Sequence, residues 1–222
     1  MSGITGALVQ QHVNRGYQIA SQKIGNTYSQ YRPTVAPAPA ISSGTLVTAS
    51  LPAYFDPQVN FPADNPRQYG KAALKAVIDP TAVQPGDYLV GPERTYFVAS
   101  IQDLMPVLVV YTNETVSIER TEANANVGSL PYGGERPSLM TPVLGVWPAS
   151  VLLKSKKEKN PTGLGSDVPQ TEMEILLPYA TGVSPMVEPA DLLTLSTGIR
   201  YAIDNVELTD LGYRLRASMV IT

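Results

Sequence analysis

The chain has 222 residues, of which 43% are apolar and only 16% are charged, and its formal net charge is −3 at pH 7. This apolar fraction is enough to build hydrophobic cores, which excludes wholesale disorder, and the absence of overall basic charge argues against a general nucleic-acid-binding protein. The chain has no cysteine and a single histidine, His12, which excludes disulfides, thiolate catalysis and cysteine-based metal sites. No apolar run reaches the roughly 20 residues of a transmembrane helix, so we expect no membrane contact.

The first 44 residues predict an N-terminal helical arm. Between residues 4 and 31, apolar and aromatic side chains recur at steps of three and four, which places them on one stripe of a helix. The stripe fits either a helix packed on its own domain or a helix that docks on a neighbouring subunit. Residues 32–40 are rich in proline and predict an extended, semi-rigid connection, which favours the second interpretation because a helix on such an arm can reach away from its core. The partner-binding residues are then Val9, Val13, Tyr17, Ile24, Tyr28 and Tyr31.

Residues 45–120 predict a first β module. Short runs of strand-forming residues are separated by turn signals such as Pro85-Gly86 and Gly91-Pro92. Strands of this length and spacing are typical of a small barrel or sandwich. Residues 121–143 carry Asn, Gly and Pro throughout and predict a linker or a long surface loop.

Residues 144–222 predict a second β module, whose last strand alternates apolar and polar residues from Tyr213 to Ile221. A loop near its start carries the densest basic patch of the chain, although Glu158 dilutes the charge. This loop is interpreted either as a solvated hairpin tip or as a basic surface that faces a partner or DNA in a channel. Its basic residues are Lys154, Lys156, Lys157 and Lys159.

One pattern occurs twice, once in each module. Pro85-Gly86-Asp87-Tyr88-Leu89 is followed by Tyr96-Phe97-Val98, and Pro189-Ala190-Asp191-Leu192-Leu193 is followed by Tyr201-Ala202-Ile203. Internal similarity of this kind predicts one structural unit built twice. The predicted fold is therefore mainly β, with two small β-barrel or sandwich modules that arose by internal duplication and an N-terminal α-helical arm before them.

The repeat singles out two acidic residues, Asp87 and Asp191. An aspartate at this point of a turn is well placed to accept backbone N–H bonds, and we predict a structural turn role for both. Because they belong to different copies, nothing predicts the close carboxylate pair of a glycosidase. His12 has no serine or carboxylate motif around it, and no metal or phosphate motif is present. We therefore predict no catalytic residue, no metal site and no cofactor.

Several segments of the chain are similar to those of one protein family. They are residues 28–33; 85–91 with 95–99; 145–150 with the basic loop at residues 154–159 and with 165–169; and 191–193 with 200–203 and 211–213. In these segments the chain resembles neck and head–tail connector proteins of tailed bacteriophages. The resemblance covers most of the chain at the level of pattern, and none of its motifs is catalytic. The doubled module departs from the single-barrel members of the family, since a tandem chain could occupy two positions in one ring.

The resemblance implies a non-enzymatic virion protein that joins the portal of the head to the tail. It implies a homo-oligomeric ring of about six or twelve copies, contacts with portal and tail proteins, and non-specific contact with DNA in a channel. Assembly would take place in the host cytoplasm. Two alternatives remain open: a capsid decoration, collar or fibre-anchoring virion protein, and a carbohydrate-active enzyme, which is less favoured because no acid pair is clustered.

Overall fold

The structure is a computed structural model that describes residues 6–56, 72–121, 140–154, 172–179 and 186–220. These ranges contain one α-helix, one short 3-10 turn and twelve strands, so the fold is mainly β. No helix within them is long and apolar enough to span a bilayer. The elements are α1 (Gly6–Ile24), β1 (Asn26–Tyr31), the 3-10 turn (Ser43–Thr45), β2 (Leu46–Asp56), β3 (Ala73–Val77), β4 (Tyr88–Val90), β5 (Thr95–Ser100), β6 (Val107–Thr112), β7 (Glu114–Thr121), β8 (Met140–Lys154), β9 (Glu172–Leu177), β10 (Leu192–Leu195), β11 (Arg200–Thr209) and β12 (Gly212–Met219).

The strands form two closed six-stranded barrels with the same topology. The first barrel closes in the order β1-β2-β3-β6-β5-β4, and the second in the order β7-β8-β9-β12-β11-β10. Adding six to each strand number of the first barrel therefore gives the second. All neighbouring strands are antiparallel. The predicted two β modules and their internal duplication are confirmed, and the modules are barrels.

The predicted helix over residues 4–31 is too long at its C-terminal end. Helix α1 ends at Ile24, and the next residues form strand β1. Gly25 lies between the two elements. Its backbone is so close to Ser21 and Ala53 that a Cβ would collide with both, so glycine is required at this position. In β1 every second residue, Tyr28 and Gln30, is buried, which is the period of a strand and not of a helix.

The boundary between the modules also differs from the prediction. Strand β1 belongs to the first barrel and not to an arm, and β7 belongs to the second barrel, although the sequence predicts residues 114–120 as part of the first. Strand β8 begins at Met140, inside the predicted linker. Only Asn113 separates β6 from β7, so the chain passes from one barrel to the other without a linker. Residues 122–139 lie outside the described ranges, and a loop there stays a prediction.

The core of the second barrel extends into the junction with the first barrel. In the first barrel, Leu89 and Val98 point inward, whereas Tyr88, Phe97 and Val110 point outward and pack into the core of the second barrel. The Tyr88 hydroxyl donates to the carbonyl oxygen of Pro148 at 2.8 Å. Its ring meets that of Trp147 edge to face, with centroids 6.2 Å apart. These buried aromatic groups hold the barrels together as one unit.

The proline-rich segment strengthens this junction instead of reaching away from the barrels. The Trp147 indole N–H donates to the carbonyl oxygen of Ala38 at 2.9 Å. The Ala40 N–H donates to the carbonyl oxygen of Val146 at 3.3 Å, and Ala40 is fully buried. Gly145 is required here, since a Cβ at this position would collide with the carbonyl oxygen of Pro37. The expectation of a free arm is therefore wrong for residues 36–40.

We expect the variant Tyr88→Phe to weaken the junction. It leaves the buried Pro148 carbonyl without its donor, which should lower the free energy of unfolding at pH 7 by about 1–2 kcal/mol in urea denaturation. Burial also raises the pKa of Tyr88 well above its ordinary value of 10.0. The native state thus holds the neutral phenol, and its stabilising effect is complete below pH 10 and is lost as the pH rises further. Stability should fall less steeply above pH 10 in the variant than in the wild type; equal slopes would contradict the buried position.

Candidate functional site

A buried aspartate and an arginine form a clamp in the first barrel. Asp87 is fully buried between the turn and strand β4. Its two carboxylate oxygens accept from Nε and Nη2 of Arg32, both at 2.7 Å. The carboxylate also accepts from the Gln84 N–H at 2.8 Å and from the Gln30 amide at 2.7 Å. We call this group the first clamp.

The second barrel contains the same arrangement, the second clamp. Asp191 is 2% exposed and accepts from Nε and Nη2 of Arg120 at 2.7 and 2.9 Å. The Glu188 N–H donates to it at 2.8 Å, as the Gln84 N–H does to Asp87. The hydrogen bonds to Asp87 and Asp191 raise the pKa of Arg32 and of Arg120, so both guanidinium groups stay charged.

The clamps explain what the repeated aspartates do. Both accept backbone N–H bonds in a turn, as the sequence predicts, and each also accepts two hydrogen bonds from an arginine. They close their own barrels and lie in different copies of the unit. A carboxylate held in this way by a cation and a backbone donor is structurally engaged. The geometry therefore gives both aspartates a structural task in their own barrels.

The two arginines were missed by reasoning from the sequence. Arg32 follows β1, and Arg120 lies near the end of the equivalent strand β7. The registers make the correspondence visible, because Thr27 lies opposite Pro52 and Thr115 opposite Pro148. A search for a second repeat would have found two matches: the Pro-Ala pairs at 52–53 and 148–149, and Arg32 and Arg120, which each stand five residues after an equivalent threonine.

The turns before the two aspartates share a residue with positive φ. Gly86 has φ of 95°, and the equivalent Ala190 has φ of 73°. In each turn this residue donates its N–H to strand β5 or β11, to Val98 O at 2.9 Å and to Ile203 O at 2.8 Å. The left-handed conformation is easy for glycine and costs an alanine about 1–2 kcal/mol.

The predicted partner-binding residues do not form one surface. Val9 and Ile24 are exposed on α1 by 38% and 56%. Val13 and Tyr17 are half-buried on the side of α1 that packs against β2 and β3 of its own barrel. Tyr28 and Tyr31 lie on β1: Tyr28 is in the core of the first barrel, and Tyr31 packs at the junction. A partner role thus stays a prediction for the exposed side of α1, which also carries His12, Leu8 and Ile19.

Most of the basic loop lies outside the described residues. Lys156, Lys157 and Lys159 fall in residues 155–171, and Lys154 is the last residue of β8, opposite Glu172. A partner or DNA contact there stays a prediction. In the described part of the chain, no group of three or more acidic or histidine side chains is placed to hold a metal ion.

An open cleft of about 600 Å³ lies at one end of the first barrel. Its base is aromatic: the ring of Phe55 stacks on Tyr96 with centroids 4.0 Å apart and meets Tyr28 edge to face at 4.9 Å. The charged side chains of Glu93 and Arg94 stand at its rim and are exposed. No sequence pattern indicates this cleft, because its walls come from strands that are distant in the chain.

Equivalent outer faces of the two barrels have different chemistry. The face of β4, β5 and β6 that packs into the junction is apolar. The registers align it with a face of β10, β11 and β12 that is more polar and partly exposed, where the Ser218 hydroxyl donates to Asp204 at 3.0 Å. In order, Tyr88, Phe97, Ala99, Leu108 and Val110 correspond to Leu192, Ala202, Asp204, Arg216 and Ser218.

We expect opposite effects from exchanging the two strained turn residues. Gly86→Ala should destabilise the protein by about 1 kcal/mol or more, since it introduces a Cβ at positive φ. Ala190→Gly removes the same strain, but glycine loses more backbone entropy on folding than alanine. The net effect should stabilise the protein by about 0.5 kcal/mol. Urea denaturation measures both; a loss above about 1 kcal/mol in Ala190→Gly would contradict the strain.

We expect Asp87→Asn to lower the free energy of unfolding by about 2–3 kcal/mol, because it leaves the partly buried guanidinium of Arg32 without its counter-charge. Asp191→Asn should cost somewhat less, because Arg120 keeps its ion pair with Glu188 at 3.2 Å. Asp204→Asn is the matched control: this aspartate is exposed, and its loss should cost less than about 0.5 kcal/mol. Thermal unfolding in the same buffer compares the three. Wild-type stability in either clamp variant would show that the clamps are not structural.

Comparison of the chain with known protein families, with curated proteins and with solved structures found no significant match in any of the three.

Proposed function

We propose that this protein is a virion structural protein that joins the head to the tail of a tailed bacteriophage by ring assembly and acts by binding alone. The proposal rests on the pattern-level resemblance of the sequence and on the geometry of the double barrel. A subunit of a closed ring needs two complementary faces that are not identical, because each copy contacts the next head to tail. The double barrel offers such a pair of ends.

The observation that carries the proposal is the divergence of the equivalent faces. If the barrel–barrel contact simply repeated, the second barrel would present an aromatic face like that of Tyr88 and Phe97. Its equivalent face carries Leu192 and Ala202 in their place, and it has Asp204 and Arg216 where the first barrel has Ala99 and Leu108. The two ends of the double barrel therefore differ in chemistry.

The other end of the molecule is covered by α1. This helix packs on β2, the strand equivalent to the β8 that receives the first barrel. The contact is light: Ser21 is the buried residue of α1, and the Gln10 side chain accepts from the Leu104 N–H at 2.7 Å. Apolar side chains stay exposed on the helix and on the adjoining turn, as expected for a surface that a neighbour covers. They are Leu8, Val9, Ile19, Ile24, Leu104 and Met105.

A role by binding alone agrees with the state of the repeated carboxylates. Asp87 and Asp191, the acidic pair that the duplication singles out, are each engaged by an arginine and a backbone N–H. A capsid decoration or collar protein would use the same double barrel at a different copy number. Copy number therefore separates the head–tail connector from this alternative.

We expect about six to twelve copies of the chain in each purified particle. Quantitative mass spectrometry against the major capsid protein measures this number. Hundreds of copies would place the protein on the capsid surface or along the tail and contradict the connector. Absence from the particle would overturn the virion role altogether.

The exposed side of α1 should be needed for assembly. The double variant Leu8→Glu and Ile19→Glu places charges on this surface without touching either barrel, so folding should be unchanged by circular dichroism. The matched control is Val35→Glu, because Val35 is 63% exposed and lies on another part of the surface. We expect tailed particles to be lost with the double variant and kept with the control. A deletion of residues 1–40 is not a suitable test, because it removes β1, Arg32 and Ala40 from the barrels.

A further inference from the structure

The first barrel has a stretch of open strand edge that the second barrel lacks. Strand β1 pairs with β2 from Asn26 onward, but it pairs with β4 only from Ser29 to Tyr31. In the second barrel, β10 is one residue longer than β4, and its last residue, Leu195, pairs with Val116, the equivalent of Tyr28. Residues 26–28 of β1 are thus paired on one side only, and they line the open cleft at the end of the first barrel.

A proline accounts for this difference. In the second barrel the Ser196 N–H donates to the carbonyl oxygen of Thr115 at 3.1 Å and continues the ladder beyond β10. The equivalent residues of the first barrel are Pro92 and Thr27, which face each other across the cleft. Proline has no N–H, so the hydrogen bond of the second barrel cannot form in the first.

The hydrogen-bonding groups of Thr27 point into the cleft. In an antiparallel pair, opposite residues exchange two hydrogen bonds or none. Thr27 lies opposite Pro52, as the equivalent Thr115 lies opposite Pro148, and the carbonyl oxygen of Thr115 accepts from Ser196 on the side away from β8. The equivalence gives the C=O of Thr27 the same direction, away from β2, and no backbone N–H of a described residue donates to it from the cleft side.

The base of the cleft suits an apolar side chain, whereas its rim is polar. Tyr28, Phe55 and Tyr96 form its aromatic base, and the Tyr28 ring covers Gly91 so closely that a Cβ there would collide with it. Glu93 and Arg94 place opposite charges at the rim, which gives the cleft no net preference for a charged ligand. The cleft of about 600 Å³ has room for a large side chain and part of a backbone.

We propose that this cleft binds an extended segment of a partner polypeptide by strand addition. The added strand lies beside residues 26–28, donates a backbone N–H to Thr27 O in place of the hydrogen bond that Pro92 cannot make, and inserts an aromatic or aliphatic side chain against Tyr28 and Phe55. Backbone hydrogen bonds provide affinity, and the aromatic base selects the side chain. The site does not depend on ring assembly, and it goes beyond the proposed function.

The test uses the full chain and short blocked peptides in which threonine alternates with phenylalanine. Amide NMR spectra are recorded during titration to millimolar peptide. We expect saturable shifts at Thr27, Tyr28, Gly91 and Arg94. A peptide with one N-methylated residue at the position facing Thr27 lacks the required N–H and should bind about tenfold more weakly. A peptide with aspartate in place of phenylalanine should also bind more weakly.

Two protein variants complete the test. Pro92→Ser restores the N–H that the second barrel uses, closes the edge from within and should lower peptide affinity about tenfold. Ser196→Pro is the matched control in the second barrel and should leave binding at the first barrel unchanged. No saturable shift at millimolar peptide, or equal affinity of the N-methylated and parent peptides, overturns the proposal. Either failure leaves the copy number in particles unaffected, so the two proposals are tested separately.

Discussion

The structure depends on an aromatic face of one barrel being buried in the core of the other. Tyr88, Phe97 and Val110 point out of the first barrel, and Trp147 with the segment that carries Ala38 receives them. Burying a large apolar side chain contributes about 1.5–3 kcal/mol. Several such residues at one junction make separate movement of the barrels costly. The fixed junction also gives the surfaces of the molecule a constant relative position, which the proposed ring assembly would require.

Duplication preserved the parts of the unit that build a barrel and changed the parts that face outward. Both copies keep the strand order, the Asp–Arg clamp and the turn with positive φ before the aspartate. The outer face of β4–β6 became the junction, and the equivalent face of β10–β12 carries charge. At the barrel end, Ser196 closes one ladder and Pro92 leaves the other open. Each difference gives the two barrels different outer surfaces.

The sequence predicted the parts of the fold that depend on local pattern and repetition. The repeated Pro-x-Asp segments predicted two β units, and the same segments placed both aspartates in turns. Contacts between distant residues were not predicted: Arg32 and Asp87 are 55 residues apart, and no local pattern pairs them. Helical spacing of Tyr28 and Tyr31 suggested a longer helix, yet closure of the first barrel requires that segment as a strand. The cleft likewise forms only when β1, β2 and the turn after β4 come together.

Native-state hydrogen exchange tests most directly whether the two barrels form one unit. We expect the slowest amides of the first barrel to include those of β5 and the slowest amides of the second to include those of β12, because both strands are largely buried. If the shared junction governs stability, both sets should exchange with the same free energy of opening, equal to that of global unfolding. Two sets with clearly different free energies would show that each barrel unfolds alone, and would contradict the account of a rigid double barrel.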